Sequence, residues 1–512
     1  MKRTVFVMLA VLLSTASARV WYVHPDSTRN RIQPCLDACG AGDTVLVGSG
    51  TYHENINWPN IQGIRLRSES GQDSTVIHGD STGTVITVGV SVDTTTAIEG
   101  FTISGGCSAG EGGGMWVTNS GPMVRGNVFT GNDGGSGGGL GAVTADSLYV
   151  VDNRFIRNLG NWGGALSVAG GVAFVKGNSF LQNRTDTTGT FYLEDAGGLV
   201  EANVFRGNLA EYYGGLWCVG GVTAAIRGNV FEDETTNVFS GAGGFVYGAS
   251  PEYSGNAIRR CRAPYCGAVL CYQASPVIVG DTFVENVTSS SWANGSIVCM
   301  VGASPRFSRS VVARNTAPRF IGAITVYDSS APVIDSCSIE NNDVAGVYVM
   351  YGADATISHC NISGNFLYGL YCEDSDDSID ARNNWWGHST GPFHPDSNPG
   401  GLGDTVSSGA RFRPWLRDSV LMGMAELGAH APVAPPMRAT IVRGVLMLAG
   451  AGSRQHSAYR AELLDAAGRR VMELAPGPND VRHLAPGVYF VCSEPSAVSR
   501  RPSAVRKVTV TR

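Results

Sequence analysis

Trp116, Tyr192, Trp217, Tyr348 and Tyr371 fall at one step of a short strand that the chain rewrites many times, and their neighbours two residues earlier are small, among them Ala165, Thr190, Gly215, Gly244 and Ala268. Flat rings over a smooth surface are the chemistry of sugar stacking, since an aromatic side chain offers an apolar face and, in Tyr and Trp, a polar edge. Counting alternation from Leu216 and Cys218 as inward residues, the outward column runs Trp116, Gly141, Ser167, Tyr192, Trp217, Val246, Leu270, Val298, Thr325, Tyr348 and Tyr371. An exposed apolar face of this extent has a partner. The plainer partner is a loop, the chain's own tail or a second copy, and the alternative is a saccharide.

Other residues offer less. The stretch EDSDDSID holds Glu373, Asp374, Asp376, Asp377 and Asp380. Its alternating carboxylates, Asp374, Asp376 and Asp377 above all, are the type that takes calcium, the one cofactor the sequence leaves open. They lack the Gly turn and ordered spacing of a calcium loop, which favours a solvated turn. His388 and His394 stand alone nearby, too few for a zinc set. The glycine runs GEGGG and GGSGGGLG have no Lys-Ser/Thr and no helix after them, so they read as tight turns rather than phosphate loops. The chain has 12 cysteines and no CxxC pair. Cys35 and Cys39 are the best local candidates for a bridge or for packing against a helical turn. Cys271 with Cys299, and Cys337 with Cys360, recur one repeat apart, within reach of a disulfide but favoured as small buried fillers.

These residues are positioned by a repeat. The heptad GNVFTGN, residues 126–132, returns with its first Asn position at Asn127, Asn153, Asn178, Asn203, Asn229, Asn256, Asp281, Ser310, Cys337, Cys360 and Asn383, at steps of 23 to 29 residues. Fainter copies start at Phe101 and Thr75. Two residues after each anchor stands an apolar residue, from Phe129 to Trp385, and three residues before each of the first ten stands another, from Val124 to Ile357. Short alternating runs broken by Gly, Asn and Ser-Pro are strands, not helices. A period of this length built from three strands per coil makes a parallel β-helix of about 12–13 coils, in which Asn can stack on Asn.

This pattern resembles the right-handed β-helix of the pectin-lyase-like superfamily, and the handedness is taken from that resemblance. GAGDTVLVGSGTYHENI, residues 40–56, looks like the opening coil of such proteins, and NNWWGHSTGPFHPDSNPGGLGDTVSSGARFRPWL, residues 383–416, like the segment after their last coils. The resemblance spans roughly residues 20–416 and speaks for fold more than for chemistry. It implies that a site would lie on an outward face. Hydrolases of the superfamily use paired carboxylates with Gly-His-Gly and Asn-Thr-Asp signatures, and its lyases use calcium with an Arg or Lys base. The outward column contains none of these. Lys176, Arg125, Arg154 and Arg227 flank the heptads and are expected to serve solubility.

The ends carry addresses. Lys2, Arg3, the apolar run Val5–Leu13 and Ala16-Ser17-Ala18 read as a signal peptide over residues 1–18, and no segment is long enough for a transmembrane helix. HAPVAPPM lies in a linker over 417–437. Residues 438–512 form short strands and resemble the C-terminal sorting domain of the type IX secretion system, through Leu464-Asp465, Gly468-Arg469-Arg470-Val471, Leu484-Ala485-Pro486-Gly487-Val488-Tyr489 and Lys507-Val508. That resemblance implies an outer-membrane secretion machinery as partner and a protein released or held at the cell surface. With 16% charged residues and a net charge of −6, there is no basic stripe for nucleic acid. The expectation is an all-β chain: a β-helix over 19–416, then a small β-sandwich-like domain. Its expected role is binding extracellular polysaccharide, with a polysaccharide lyase or glycoside hydrolase as the alternative and a rigid surface spacer as the second.

Overall fold

Each coil turns its corners on asparagine. A computed structural model describes residues 18–420, apart from 90–91, 144–146, 291–293, 318–320 and 374–378, and in the C-terminal part the strands between 440 and 510 with a few neighbours. In it, Asn153 Oδ1 accepts the backbone N–H of Asn127 at 2.9 Å and its Nδ2 at 3.2 Å. The same double bond links Asn153 to Asn178, Asn178 to Asn203, Asn203 to Asn229, and Asn229 to Asn256. The other Nδ2 proton goes to a carbonyl of the preceding coil, as from Asn127 to Ile98. The second Asn of the heptad builds a second ladder, Asn132 to Asn158, Asn183 and Asn208. An amide side chain carries a donor and an acceptor together, so like residues can satisfy one another without end.

Between the corners run four parallel sheets. Sheet I has 16 strands, from Val20–Val23 to Ala410–Arg411; sheet II has 13, from Gly50–His53 to Asn361–Ser363; sheet III has 8, from Cys107–Ser108 to Val287–Thr288; sheet IV has 13, from Ile56–Asn57 to Leu370–Cys372. The chain visits them in that order, making an all-β right-handed parallel β-helix of about 13 coils. Sheet III corrects the expected three strands per coil: in the middle coils the segment after the second Asn is long enough to add a short fourth strand. The interior columns are as read from the repeat. Val124, Val150, Val175, Val200 and Ile226 are paired in register and buried on sheet I. On sheet II, Phe129, Phe155, Phe180, Phe205 and Phe231 stack with ring centroids 4.5–5.0 Å apart, the spacing of the strands themselves. The last rung is shifted by one residue from expectation. Asn384, not Asn383, accepts the Cys360 N–H, and Trp386, not Trp385, fills the interior, because Asn383 takes the left-handed turn conformation (φ 60°).

Both ends of the helix are closed by polar groups that the sequence motifs supply. In GTYHE, Tyr52 is buried with its hydroxyl on the Gly48 carbonyl, and the Glu54 carboxylate accepts the N–H groups of Ile32 and Gln33. Those are the first turn of the helix Ile32–Asp37, which lies over the first coil, so the glutamate caps it from another segment. Cys39 bonds the Cys35 carbonyl at the end of this helix, and both are free thiols. At the other end, Asp404 accepts the N–H groups of Gly364 and Asn365 and finishes the second ladder. The glycine runs are corners only in part, since Gly134 and Gly135 lie in a sheet III strand and Gly141 in a sheet IV strand; at the corner between them a Cβ on Gly138 would overlap the carbonyl oxygens of Leu159 and Gly164 in the next coil.

The chain separates into two compact units, residues 1–425 and 426–512. The second has a five-stranded sheet, in which Thr440–Val442 pairs parallel and the rest antiparallel, and a two-stranded antiparallel sheet.

Two ladders contain acids in the place of asparagine. Glu234 accepts from Asn208 N and Nδ2, and Asp281 accepts from Asn256, each with a fully buried side chain. Burial pushes Glu234 up to about 8 and Asp281 up to about 7. A carboxyl whose pKa rises on folding binds its proton more tightly in the folded chain, so it stabilises most below its unfolded value near 4.5 and that stability is lost as pH rises towards 8. Glu234→Gln therefore flattens the pH dependence of unfolding. Its melting temperature should exceed the parent's at pH 8 and match it near pH 4, read by circular dichroism; an unchanged pH slope would remove Glu234 from the account.

Candidate functional site

Sheet IV places the five expected aromatic residues in one outward column. Register runs Trp116, Gly141, Ser167, Tyr192, Trp217, Phe245, Leu270, Val298, Thr325, Tyr348, Tyr371. Phe245 corrects Val246, which faces inward between Cys218 and Cys271, and Gly243 correspondingly replaces Gly244 as the small residue before it. The step from Trp217 to Phe245 is about three residues longer than those on either side, an odd number, so counting alternation along the chain picks the wrong face here.

The column is not one open face. Its middle is roofed by side chains from the corner between sheets III and IV: Tyr213, Phe239 and Tyr265 pack with Phe245, Leu270, Val298 and Cys266 in a second apolar cluster outside the coil. Trp217 sits at the edge of this roof, stacked on Trp162 (6.1 Å between centroids), edge-on to Tyr192 (5.4 Å) and tilted against Tyr213 (4.9 Å). Its indole N–H is buried without an acceptor. The loop cover foreseen as the plainer reading thus holds for the central coils, and the face stays open on either side.

On the N-terminal side a groove of about 320 Å³ is bounded by Trp116, Trp162, Ser167, Tyr192 and Glu194. Trp162 is 43% exposed. Burial, then the neighbouring Glu194 carboxylate, holds the Tyr192 phenol well above its ordinary range, so it remains a hydrogen-bond donor. On the C-terminal side a groove of about 420 Å³ is formed by Tyr348, Tyr371, Val344 and the loop residues Phe366, Leu367 and Tyr368. Tyr348 and Tyr371 stack at 5.0 Å, and Tyr368 stands edge-on to Tyr371 at 4.8 Å. Burial first and Glu373 second raise Tyr348 as well. Each groove is a set of rings with one tyrosine held to one glutamate.

Alternation carried one step further along the same strands would have found the glutamates: FYLE and LYCE each put Tyr and Glu two residues apart on the same face. Trp162, at the end of the sheet III strand Leu159–Trp162, and Tyr213, Phe239, Phe366 and Tyr368, from corners, carry no such signal, because they lie outside the columns that the heptad repeat marks.

The remaining candidates do other work. Asp374, Asp376 and Asp377 lie outside the described residues, and among those described no group of three or more His, Cys, Asp or Glu is arranged to hold a metal. Asp380 is held by Arg382 at 2.7 Å, which lowers it to about 2. His394 accepts the N–H groups of Asp396 and Ser397, while His388 bonds Thr390, so both shape the closing loop. Lys176 pairs with Glu201, Arg125 with Asp152 and Arg227 with Glu252 across adjacent coils of sheet I, and Arg154 is on sheet II. Cys271 and Cys299 are registered neighbours inside the coil, and the Cys337 N–H reaches Cys360 Sγ at 3.3 Å; all four are thiols.

A family model described as "Right handed beta helix region" matches residues 234–386. No curated protein matches the chain. Among solved structures, the catalytic unit of a thermostable α-1,3-glucanase from Streptomyces thermodiastaticus is similar at 13% identity and a TM-score of 0.38, covering 75% of this chain and 66% of that one. The A-module of a mannuronan C-5 epimerase from Azotobacter vinelandii is similar at 14% identity and a TM-score of 0.29, over 75% and 94% of the two chains. A pectate lyase is similar at 12% identity and a TM-score of 0.20, over 79% of each.

Trp217 and Trp162 should separate in a stability assay. Trp217→Ala empties the edge of the second cluster and should cost about 3 kcal/mol, in the range of buried aromatic truncations. Trp162→Ala removes an exposed ring and should stay within about 0.5 kcal/mol. Urea denaturation followed by tryptophan fluorescence and circular dichroism checks both, and equal costs would mean that the roof does not close over Trp217.

Proposed function

We propose that this protein binds an extracellular polysaccharide along the outward face of sheet IV, with the grooves at Trp162 and Phe366 as its two contact points. The observation that carries this reading is the pairing of exposed rings with a tyrosine and a carboxylate in both grooves: rings for the sugar face, polar groups for its hydroxyls. From Tyr192 to Tyr348 the column makes six rung steps, about 29 Å at the parallel strand spacing. A polymer laid along the coil axis would touch both grooves at once, and binding at two linked sites gains over either alone. Acid–base hydrolysis of a glycoside uses two carboxyl groups about the bond. Among the described residues the N-terminal lining offers one glutamate, Glu194, and the C-terminal lining none, Glu373 lying beside it bonded to Tyr348, which favours holding a chain over cutting it.

The C-terminal unit is proposed as a type IX sorting domain that delivers the β-helix to the cell surface, with the linker over 417–437. Support comes from its strand pattern, in which Gly487–Ser493 pairs antiparallel with Val505–Val510, and from the motif residues Leu484, Val488, Tyr489 and Lys507. Asp465, Gly468, Arg469 and Pro486 of the motif lie outside the described residues.

On a polysaccharide panel, the full chain should be retained by at least one polymer. Trp162→Ala and Phe366→Ala should each weaken retention about tenfold, the equivalent of about 1.4 kcal/mol, with no reducing or unsaturated ends released. Release of such ends would make the face catalytic, and retention unaffected by both variants would move the site elsewhere. Deleting residues 438–512 should leave the β-helix inside the outer membrane on cell fractionation; normal surface delivery would end the sorting reading.

A further inference from the structure

Charge at the two grooves says what kind of polymer they admit. In the N-terminal groove Glu194 is the one charged residue of the lining, and the electrostatic neighbours of Tyr192 are Glu194 and Asp195, both acids. The C-terminal groove is lined by apolar residues and tyrosines, with Glu373 bonded to Tyr348. Between them the roof consists of Tyr, Phe, Leu, Val, Cys and Met side chains. Among the described residues neither lining includes a lysine or arginine. Several basic side chains are matched away from this face: Arg206, Arg259 and Arg260 surround Glu232 on sheet II, and Lys176 is bonded to Glu201 on sheet I.

Polyanionic glycans are recognised through cations, with Arg and carboxylate meeting in a paired geometry. A face whose described residues offer carboxylates and no cation does the reverse, since bringing a second carboxylate beside one with no counter-cation works against binding. Uncharged sugars have hydroxyl donors that suit a carboxylate acceptor and C–H faces that suit the rings. We infer that sheet IV selects a glycan without negative charge and rejects uronate polymers. This rests on the binding reading above and narrows it to a ligand class.

The test is affinity electrophoresis of the full chain through gels containing matched polymers that differ in charge. The pairs are hydroxyethylcellulose and carboxymethylcellulose, fully methyl-esterified pectin and polygalacturonate, and propylene-glycol alginate and alginate, each run with calcium and with EDTA. The expected result is retardation by an uncharged member, with its charged partner weaker by about tenfold or more at low salt and less so at high salt. A Glu194→Gln, Glu373→Gln double variant should narrow that gap, the charged member gaining relative to its uncharged partner. Equal or stronger retardation by a charged member, with or without calcium, overturns the inference and leaves glycan binding standing. No retardation by any member overturns the binding reading itself, and the inference with it.

Discussion

The asparagine that accepts from the asparagine below and donates to the coil behind fixes the geometry of the whole rod. Each corner brings two backbone polar groups into a buried position, and the stacked amide satisfies them at the cost of one demand: the next coil must present the same residue at the same height. Coil length varies most in the segments between the second Asn and the strand of sheet IV, where the short strands of sheet III stack over only part of the rod. That freedom is visible at Trp162, Tyr213, Phe239 and Phe366, all of which enter the outward face from those variable stretches. The site is therefore built where the ladder does not reach.

Where the ladder departs from asparagine it changes the protein's response to its surroundings. Glutamate and aspartate can accept as Asn does, but once buried they keep a proton that an exposed acid would lose, so Glu234 and Asp281 tie the middle coils to pH. Cys337 and Cys360 stand in the same ladder near its end, with sulfur as a weaker acceptor. Because each coil touches only its neighbours, these effects stay local to a few rungs.

The outward face shows how one architecture serves packing and binding together. Over the central coils the aromatic side chains are consumed by a second core, with Trp217 at its boundary. Beyond that boundary Tyr192 is buried, while Trp116, Trp162, Tyr348, Tyr371 and Phe366 stay partly or largely exposed and line grooves. The difference lies in whether a corner segment folds over the strand, which is a property of loop path and not of the column.

The spacing of Asn, Phe and Val was enough to read the strands, the inward columns and the ladders, because stacking at a fixed height forces a period that survives in the residues themselves. The closing coil was legible in kind but one residue out at Asn384 and Trp386, since two adjacent asparagines and two adjacent tryptophans leave the register undetermined until the turn takes its left-handed residue. Phe245 was hidden for a related reason: an odd number of extra residues in the corners before it shifts alternation without leaving a mark on the strand. Roof, grooves and the approach of Glu373 to Tyr348 across coils were decided by tertiary structure alone, because they join segments of different coils whose connecting paths carry no repeat.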